Sequence, residues 1–339
     1  MRTCARQFIL IVGCLFAWLT PVQAGNAVTT PYGEVSLPFE LHQVPGAPVY
    51  YIIGLSGVPD SSNEGHTSNA GFVVTDGGVV VFDALGTPAL GYRLLQRIRE
   101  VTDKPIERII ISHYHADHIY GLQAFKDHAG NPPVWAQRLA LGYVGGTAAS
   151  QGEDAQRRLT QRREALFPWV DENTYIVSPD HTFEDDLSFK VGGISFTVKH
   201  LGPAHAPADS IMLVNDYSVL FSGDVIYKGR VPFLDSPETD INHWLEGLDH
   251  LTSLKPQPRF VIPGHGTPSD NVQEAIGATV DYIKYVRNAM KKAADNFVPF
   301  DEAYKSTDWS KYEDMPAFGG SNRGNAYRIY LEMEAEAFN

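Results

Sequence analysis

Apolar residues fall in short continuous blocks along most of the chain. Residues 49–53, 71–75, 79–83 and 107–112 are rich in β-branched and aromatic side chains, are bounded by glycine or polar residues, and read as buried strands. The pair 71–75 and 79–83 flanks Asp76-Gly77-Gly78, which predicts a β-hairpin. Over Pro88–Val101 the period becomes helical: Leu90, Leu94, Leu95 and Ile98 share a face, and Pro88 stands in the first turn. A helix is expected over 119–126 and a short strand over 134–136. Strands return at 187–191, 194–200, 211–214, 219–222 and 260–262, with helices at 242–254, 272–294 and 326–337. Strand-rich blocks each followed by helices predict two packed sheets with helices outside. Residues 25–48, rich in glycine and proline, read as an extended lead-in. A helical insertion is expected over 137–180 and a C-terminal extension over 297–339. The insertion carries Arg157, Arg158, Arg162 and Arg163, which are expected to form a solvated helix face rather than an anion site.

Composition narrows this picture. With 339 residues, 43% hydrophobic and 20% charged, the chain can bury a full core, and 25–339 is expected to be a single domain. A formal net charge of −13 argues against a nucleic-acid-binding surface. Residues 1–24 have the layout of a signal peptide: Arg2 and Arg6, an apolar segment over 8–19, then Val22-Gln23-Ala24. That segment is too short to span a bilayer comfortably. A periplasmic or secreted protein without a stable membrane anchor is expected, with cleavage after Ala24. Gly13-Cys14 has the small residue before cysteine that lipoprotein signals use, but the apolar stretch runs on well past it. Cys4 and Cys14 are the only cysteines, so the mature chain would have neither a disulfide nor a thiolate ligand or nucleophile. Any metal site must then be built from histidine and carboxylate.

Such a site is legible at Ser112-His113-Tyr114-His115-Ala116-Asp117-His118, just past the strand 107–112. Three imidazoles and a carboxylate within six residues are ligands of the kind a zinc-type ion takes. Three later stretches each leave one ligand-type side chain at the end of an expected strand: Gly202-Pro203-Ala204-His205, Ser222-Gly223-Asp224 and Pro263-Gly264-His265-Gly266. A lone histidine or aspartate would be read as structural; four elements together predict a metal site. His42, His128, His181, His200, His243 and His250 have no such setting and read as structural or exposed. Tyr114, Tyr120 and Tyr227 flank ligands, with packing the default for each.

This succession of motifs resembles the metallo-β-lactamase-fold hydrolase superfamily from about Gly71 to His265. The resemblance implies an αββα sandwich with the site along one edge of its two sheets. It also implies two Zn2+ per chain: His113, His115 and His205 on the first, Asp117, His118 and His265 on the second, and Asp224 bridging. Asp117 would also orient the attacking hydroxide. Asp83 matches a family aspartate that orients a metal-binding histidine. A finer resemblance, over 79–125, 166–171 and 322–336, is to exported metallohydrolases near sulfur-oxidation clusters and quinoproteins. Asp224 stands where one group of zinc β-lactamases has cysteine, which makes the ligand set similar to that of glyoxalase II. The implied activity is thioesterase-like hydrolysis of a small-molecule ester, thioester or lactam. Rival expectations are a mononuclear iron (Fe) enzyme like the persulfide dioxygenases, a β-lactamase, and a metal-binding accessory protein without turnover. His66, Tyr227, Lys228 and Arg230 are candidates for substrate contact, the last two as grips for a substrate carboxylate.

Overall fold

A computed structural model describes residues 27–145, 153–234, 236 and 239–337. The expected signal peptide lies outside the described residues. The chain enters through a hairpin of β1 (Val28–Thr30) and β2 (Gly33–Val35), so the lead-in is not simply extended. There follow β3 (His42–Gln43), β4 (Val49–Ile52), β5 (Ala70–Thr75), β6 (Gly78–Phe82), helix α1 (Pro88–Val101) and β7 (Ile106–Ile110). The α1 bounds match the helical pattern: Thr87 Oγ1 caps its start by accepting from the Leu90 N–H at 3.2 Å.

The expected helix over 119–126 is instead two, α2 (Ala116–Ile119) and α3 (Leu122–His128). The break falls at Gly121, where a Cβ would lie 1.8 Å from the Ala84 carbonyl oxygen and 2.9 Å from Gly91 Cα. Close approach to α1 therefore requires glycine there.

Then come β8 (Val134–Gln137), α4 (Leu141–Val144), α5 (Glu153–Leu166) and β9 (His181–Phe183). The stretch expected to be a helical insertion is helical only in part, since no helix lies between Leu166 and β9. Strands β3 to β9 form one seven-stranded sheet in that order, antiparallel up to β6 and parallel from β6 to β9. The second sheet has β10 (Asp186–Val191), β11 (Ile194–His200), β12 (Ser210–Val214), β13 (Val219–Lys228) and, parallel to β13, β14 (Phe260–Gly266). Helices α6 (Ile241–Ser253), α7 (Val272–Asp295), α8 (Phe300–Ser306) and α9 (Phe318–Ala337) complete the chain. Helix α9 begins earlier than its sequence pattern suggests.

Three apolar layers hold these parts. Between the sheets, Val80, Phe82 and Ile110 meet Phe196, Met212, Phe221 and Ile262, with Phe82 and Phe221 stacked at 5.3 Å. Outside the first sheet, Leu90, Leu94 and Ile98 of α1 pack with Phe125 of α3. Outside the second, Trp244 and Leu248 of α6 pack with Ile283 and Val286 of α7 and Ile329 of α9. The fold is an αββα sandwich. Among the described residues no helix is long and apolar enough to cross a membrane.

Candidate metal centre

The ends of β6 and β7 meet the middle of β13 and the end of β14 at one edge of the sandwich. There the structure brings together all seven expected ligand side chains, in three overlapping groups: His113, His115 and His205; His113, His118 and Asp224; Asp117, His118 and His265. Asp224 does not follow its strand but lies within β13, where the pairing with β14 shifts register between Gly223 and Tyr227. Glycines make room for it. Gly223 has φ +49°, and a Cβ on Gly264 would fall 2.0 Å from Asp224 Oδ1.

The Asp224 carboxylate touches both halves of the cluster. Its Oδ1 is 3.1 Å from His118 Nε2, and its Oδ2 is 3.3 Å from His265 Nε2 and 3.4 Å from His205 Nε2. Asp117 Oδ2 lies 3.2 Å from His265 Nε2. His115 Nδ1 and His205 Nε2 converge to 2.8 Å. A proton carried by one ring, or a cation bound by both, can join these two nitrogens.

Each of the other imidazoles is held by its far nitrogen. His113 Nδ1 meets Ser112 Oγ at 2.9 Å, and His118 Nδ1 meets Asp83 Oδ2 at 2.8 Å. The carbonyls of Phe233 and Thr67 accept from Nδ1 of His205 at 2.8 Å and of His265 at 2.7 Å. This fixes the tautomers so that Nε2 carries the free lone pair. Asp83 also accepts from the Ser112 N–H and Oγ–H, at 2.7 and 2.8 Å. The loop before β5 closes the frame. Ser68 Oγ donates to the Asp117 carbonyl, while Asn69 Nδ2 donates to the carbonyls of Pro263 and Gly266 at 2.8 and 2.9 Å.

Electrostatics agree with a cation at the centre. Burial holds His113 and His115 well below the ordinary imidazole value, in the neutral ligating form. Burial also disfavours a proton on His118, but Asp224, Asp83 and Asp117 outweigh it and lift His118 well above that value. Asp224 is pushed up by burial, yet His265 and His118 hold it well below the usual carboxylate range. Nε2 of His113 and of His115 are buried with no hydrogen-bond partner among the described residues, and His118 Nε2 and Asp224 Oδ1, 3.1 Å apart, have no hydrogen-bond partner beyond that ion pair. Donors of five imidazoles and two carboxylates, with these atoms left open, fit divalent metal ions.

A cavity of about 440 Å³ opens over the cluster. Tyr227 lines it, donates from its hydroxyl to Asp224 Oδ2, and stacks on His265 at 5.4 Å and 4°. Arg230 lines it too. The remaining candidates for substrate contact lie elsewhere. Lys228 is turned to Ser269 Oγ at 3.0 Å and Glu274 at 3.3 Å, and His66 is buried outside the cavity, stacked on Phe39 at 5.1 Å. The α5 arginines depart most from expectation. Ala155, Leu159 and Leu166 are buried and seat the helix on the core, which turns Arg157, Arg158 and Arg162 into the cavity wall. Arg163 instead donates to the carbonyls of Asp171 and Thr174, at 2.6 and 2.9 Å.

Sequence reasoning missed Ser112, Ser68, Asn69 and the carbonyls of Thr67 and Phe233 as supports. Ser112 and Ser68-Asn69 are polar residues beside strands whose burial could have drawn notice. A supporting carbonyl leaves no mark in residue identity.

The profile of the Metallo-beta-lactamase superfamily matches residues 64–265. The chain is 26% identical over 241 residues to a linear primary-alkylsulfatase from Pseudomonas sp., covering 62% of this chain and 44% of that protein. It thus spans less than half the length of that relative. It is 27% identical over 186 residues to the hydroxyacylglutathione hydrolase GloC of Haemophilus influenzae, covering 54% of this chain and 78% of that one. Among solved structures, the sec-alkylsulfatase Pisa1 from Pseudomonas sp. superposes with a TM-score of 0.66 at 18% identity, over 87% of this chain and 50% of that chain. A metallo-beta-lactamase from Pontibacter korlensis does so at 0.55 and 19%, over 73% and 99%. The chain belongs to the metallo-beta-lactamase superfamily.

Proposed function

We propose that the protein is an exported two-zinc hydrolase that cleaves a small ester, thioester or lactam. The observation that carries this reading is the Asp224 carboxylate, which lies within 3.4 Å of His118, His265 and His205 and so can join two metal positions. His113, His115 and His205 would hold one ion, and Asp117, His118 and His265 the other. The resemblance of this ligand set to glyoxalase II, and the relative named hydroxyacylglutathione hydrolase, favour a thioester or ester over a lactam. The signal-like pattern of residues 1–24 supports export.

When bound, the ions would supply Lewis acidity, polarising a carbonyl and bringing the pKa of water from 15.7 toward about 7. The chain's own groups do the rest. Asp117 lines the cavity and is held well below the usual carboxylate range because His118 and His265 outweigh its burial, so it is a carboxylate able to accept a hydrogen bond from the attacking water and aim it. The Tyr227 phenol, raised well above its ordinary value by burial and by Asp224, keeps its proton and fixes the bridging carboxylate. No side-chain nucleophile is needed.

The test is metal quantification on purified mature protein, then turnover of 4-nitrophenyl acetate, an acyl-glutathione and nitrocefin. Two zinc ions per chain and hydrolysis of an ester or thioester are expected, with both lost in His115→Ala and Asp224→Ala. One iron per chain with oxygen uptake would replace this reading with the dioxygenase one, and full turnover by His115→Ala would sink the ligand assignment. A sulfate ester is a second reading, favoured by the alkylsulfatase relative matching 62% of the chain.

A further inference from the structure

The chain is acidic overall, at −13, yet the side chains that rim its metal cavity include Arg157, Arg158, Arg162 and Arg230. Arg230 is only 6% exposed, and its Nε and Nη1 have no hydrogen-bond partner among the described residues. Its guanidinium lies 5.7 Å from the Tyr227 ring centroid, beside the phenol that holds Asp224. A buried cation whose donors go unpaired is costly unless an anion comes to it. Arg108 also has a buried, open Nε, but it is sandwiched between Trp135 and Phe189 at 5.2 and 4.0 Å and does not line the metal cavity. Burial alone therefore does not set Arg230 apart; its place on the cavity wall does.

Helix α5 supplies the other cations. The Arg158 guanidinium stands over Tyr143 at 5.3 Å and Tyr114 at 6.0 Å, and Tyr114 sits in sequence between the ligands His113 and His115. Arg162 follows one helical turn later on the same face. Of the three α5 arginines on the wall, only Arg157 has a carboxylate partner among the described residues, Asp154 at 3.0 Å. The carboxylates that line the cavity, Asp117 and Asp224, belong to the metal cluster, which leaves the arginines to attract anions, and a guanidinium fork matches paired oxygens of a carboxylate or sulfate.

We propose that Arg230, deep in the wall, and Arg158 with Arg162, at the mouth, form an oxyanion-binding subsite that selects small substrates carrying a carboxylate or sulfate group. This rests on the hydrolase reading for the identity of the cavity as a substrate site, whereas anion binding itself does not require turnover. The test uses the metal-loaded mature protein and the variants Arg158→Gln/Arg162→Gln and Arg230→Gln. Binding of succinate and, separately, of inorganic sulfate is measured by calorimetry. Turnover is compared for 4-nitrophenyl acetate, 4-nitrophenyl hemisuccinate and 4-nitrophenyl sulfate, which share a leaving group.

Wild type should favour an anionic ester over acetate in kcat/KM, and the variants should lose about ten- to a hundredfold of that preference, mainly through KM. Anion affinity should fall in parallel at unchanged metal content. Preference for hemisuccinate places the acid apart from the scissile bond, and preference for sulfate makes it the reacting group; both support the subsite. If no ester is turned over but anion binding still depends on the arginines, the subsite stands and the hydrolase reading falls. Equal anion affinity in wild type and variants overturns the proposal. Should Arg230→Gln fail to fold, Arg230→Lys keeps the charge without the planar fork, and an affinity equal to wild type there would count against a guanidinium-specific site.

Discussion

Asn325, in the last helix, and His205, at the metal centre, are joined through three residues of main chain. Asn325 Oδ1 accepts from the Leu234 N–H and its Nδ2 donates to the Pro232 carbonyl, both at 2.7 Å. The carbonyl between them, that of Phe233, accepts from His205 Nδ1 at 2.8 Å. The C-terminal helix thus sets the tilt of a ligand far from it in sequence. Replacing Asn325 with alanine should weaken metal retention about tenfold while the sandwich persists. Competition against a chelator measures this, and an unchanged affinity would mean that the Phe233 carbonyl is held in place by other contacts.

Asp83 accepts from three donors at once and has φ +60°, a conformation that asparagine tolerates better than most residues. Asp83→Ala should therefore cost about 10- to 100-fold in metal affinity, and Asp83→Asn distinctly less. Equal losses in a metal titration of the two variants would show that charge, not hydrogen bonding, is what His118 requires.

Two glycines make opposite forecasts. A methyl group on Gly264 would meet Asp224 Oδ1 at 2.0 Å and Gly223 backbone at 2.6 Å, so Gly264→Ala should abolish metal binding and turnover. Gly277 lies within α7 with nothing near its missing Cβ. Gly277→Ala should stabilise the protein by about 1 kcal/mol and leave turnover unchanged, as a denaturation curve and an assay would show.

His66 makes a pH forecast. Burial depresses its pKa from 6.5 to about 4. The unfolded chain takes up a proton near pH 6.5 that the folded chain refuses until about pH 4. Stability from this residue is therefore whole above pH 6.5, falls between 6.5 and 4, and levels off below. At pH 5 the loss comes to about 2 kcal/mol. Neither ring nitrogen has a partner among the described residues, so His66→Leu should fold and lack this loss. Urea midpoints at pH 7.5 and pH 5 for both proteins give the difference, and parallel pH curves would rule His66 out as its source.

The site's ligands were legible because side-chain type and spacing announce them: His113, His115, Asp117 and His118 lie within a few residues, and His205, Asp224 and His265 each stand beside a glycine or proline turn. The sandwich was legible because β6 is an unbroken apolar run, β7 ends in one, and α1 has a clear helical face. What could not be read depends on tertiary approach. Nothing in residues 153–166 says which flank faces the metals; that follows from where Ala155 and Leu159 find the core. The need for glycine at 121 comes from neighbours distant in sequence, Ala84 and Gly91, so no local pattern encodes it. Lys228 and Arg230, two residues apart, diverge because one remains on β13 and the other has left it.

Two of the imidazoles, His205 and His265, are steadied by peptide carbonyls, those of Phe233 and Thr67. A carbonyl survives any substitution of its own side chain. Single-codon changes at 67 or 233 can thus leave both oxygens in place, whereas a one-residue deletion in either loop would carry the oxygen away. For this half of the centre, a survey of natural or laboratory variants should find tolerance of letters and intolerance of length.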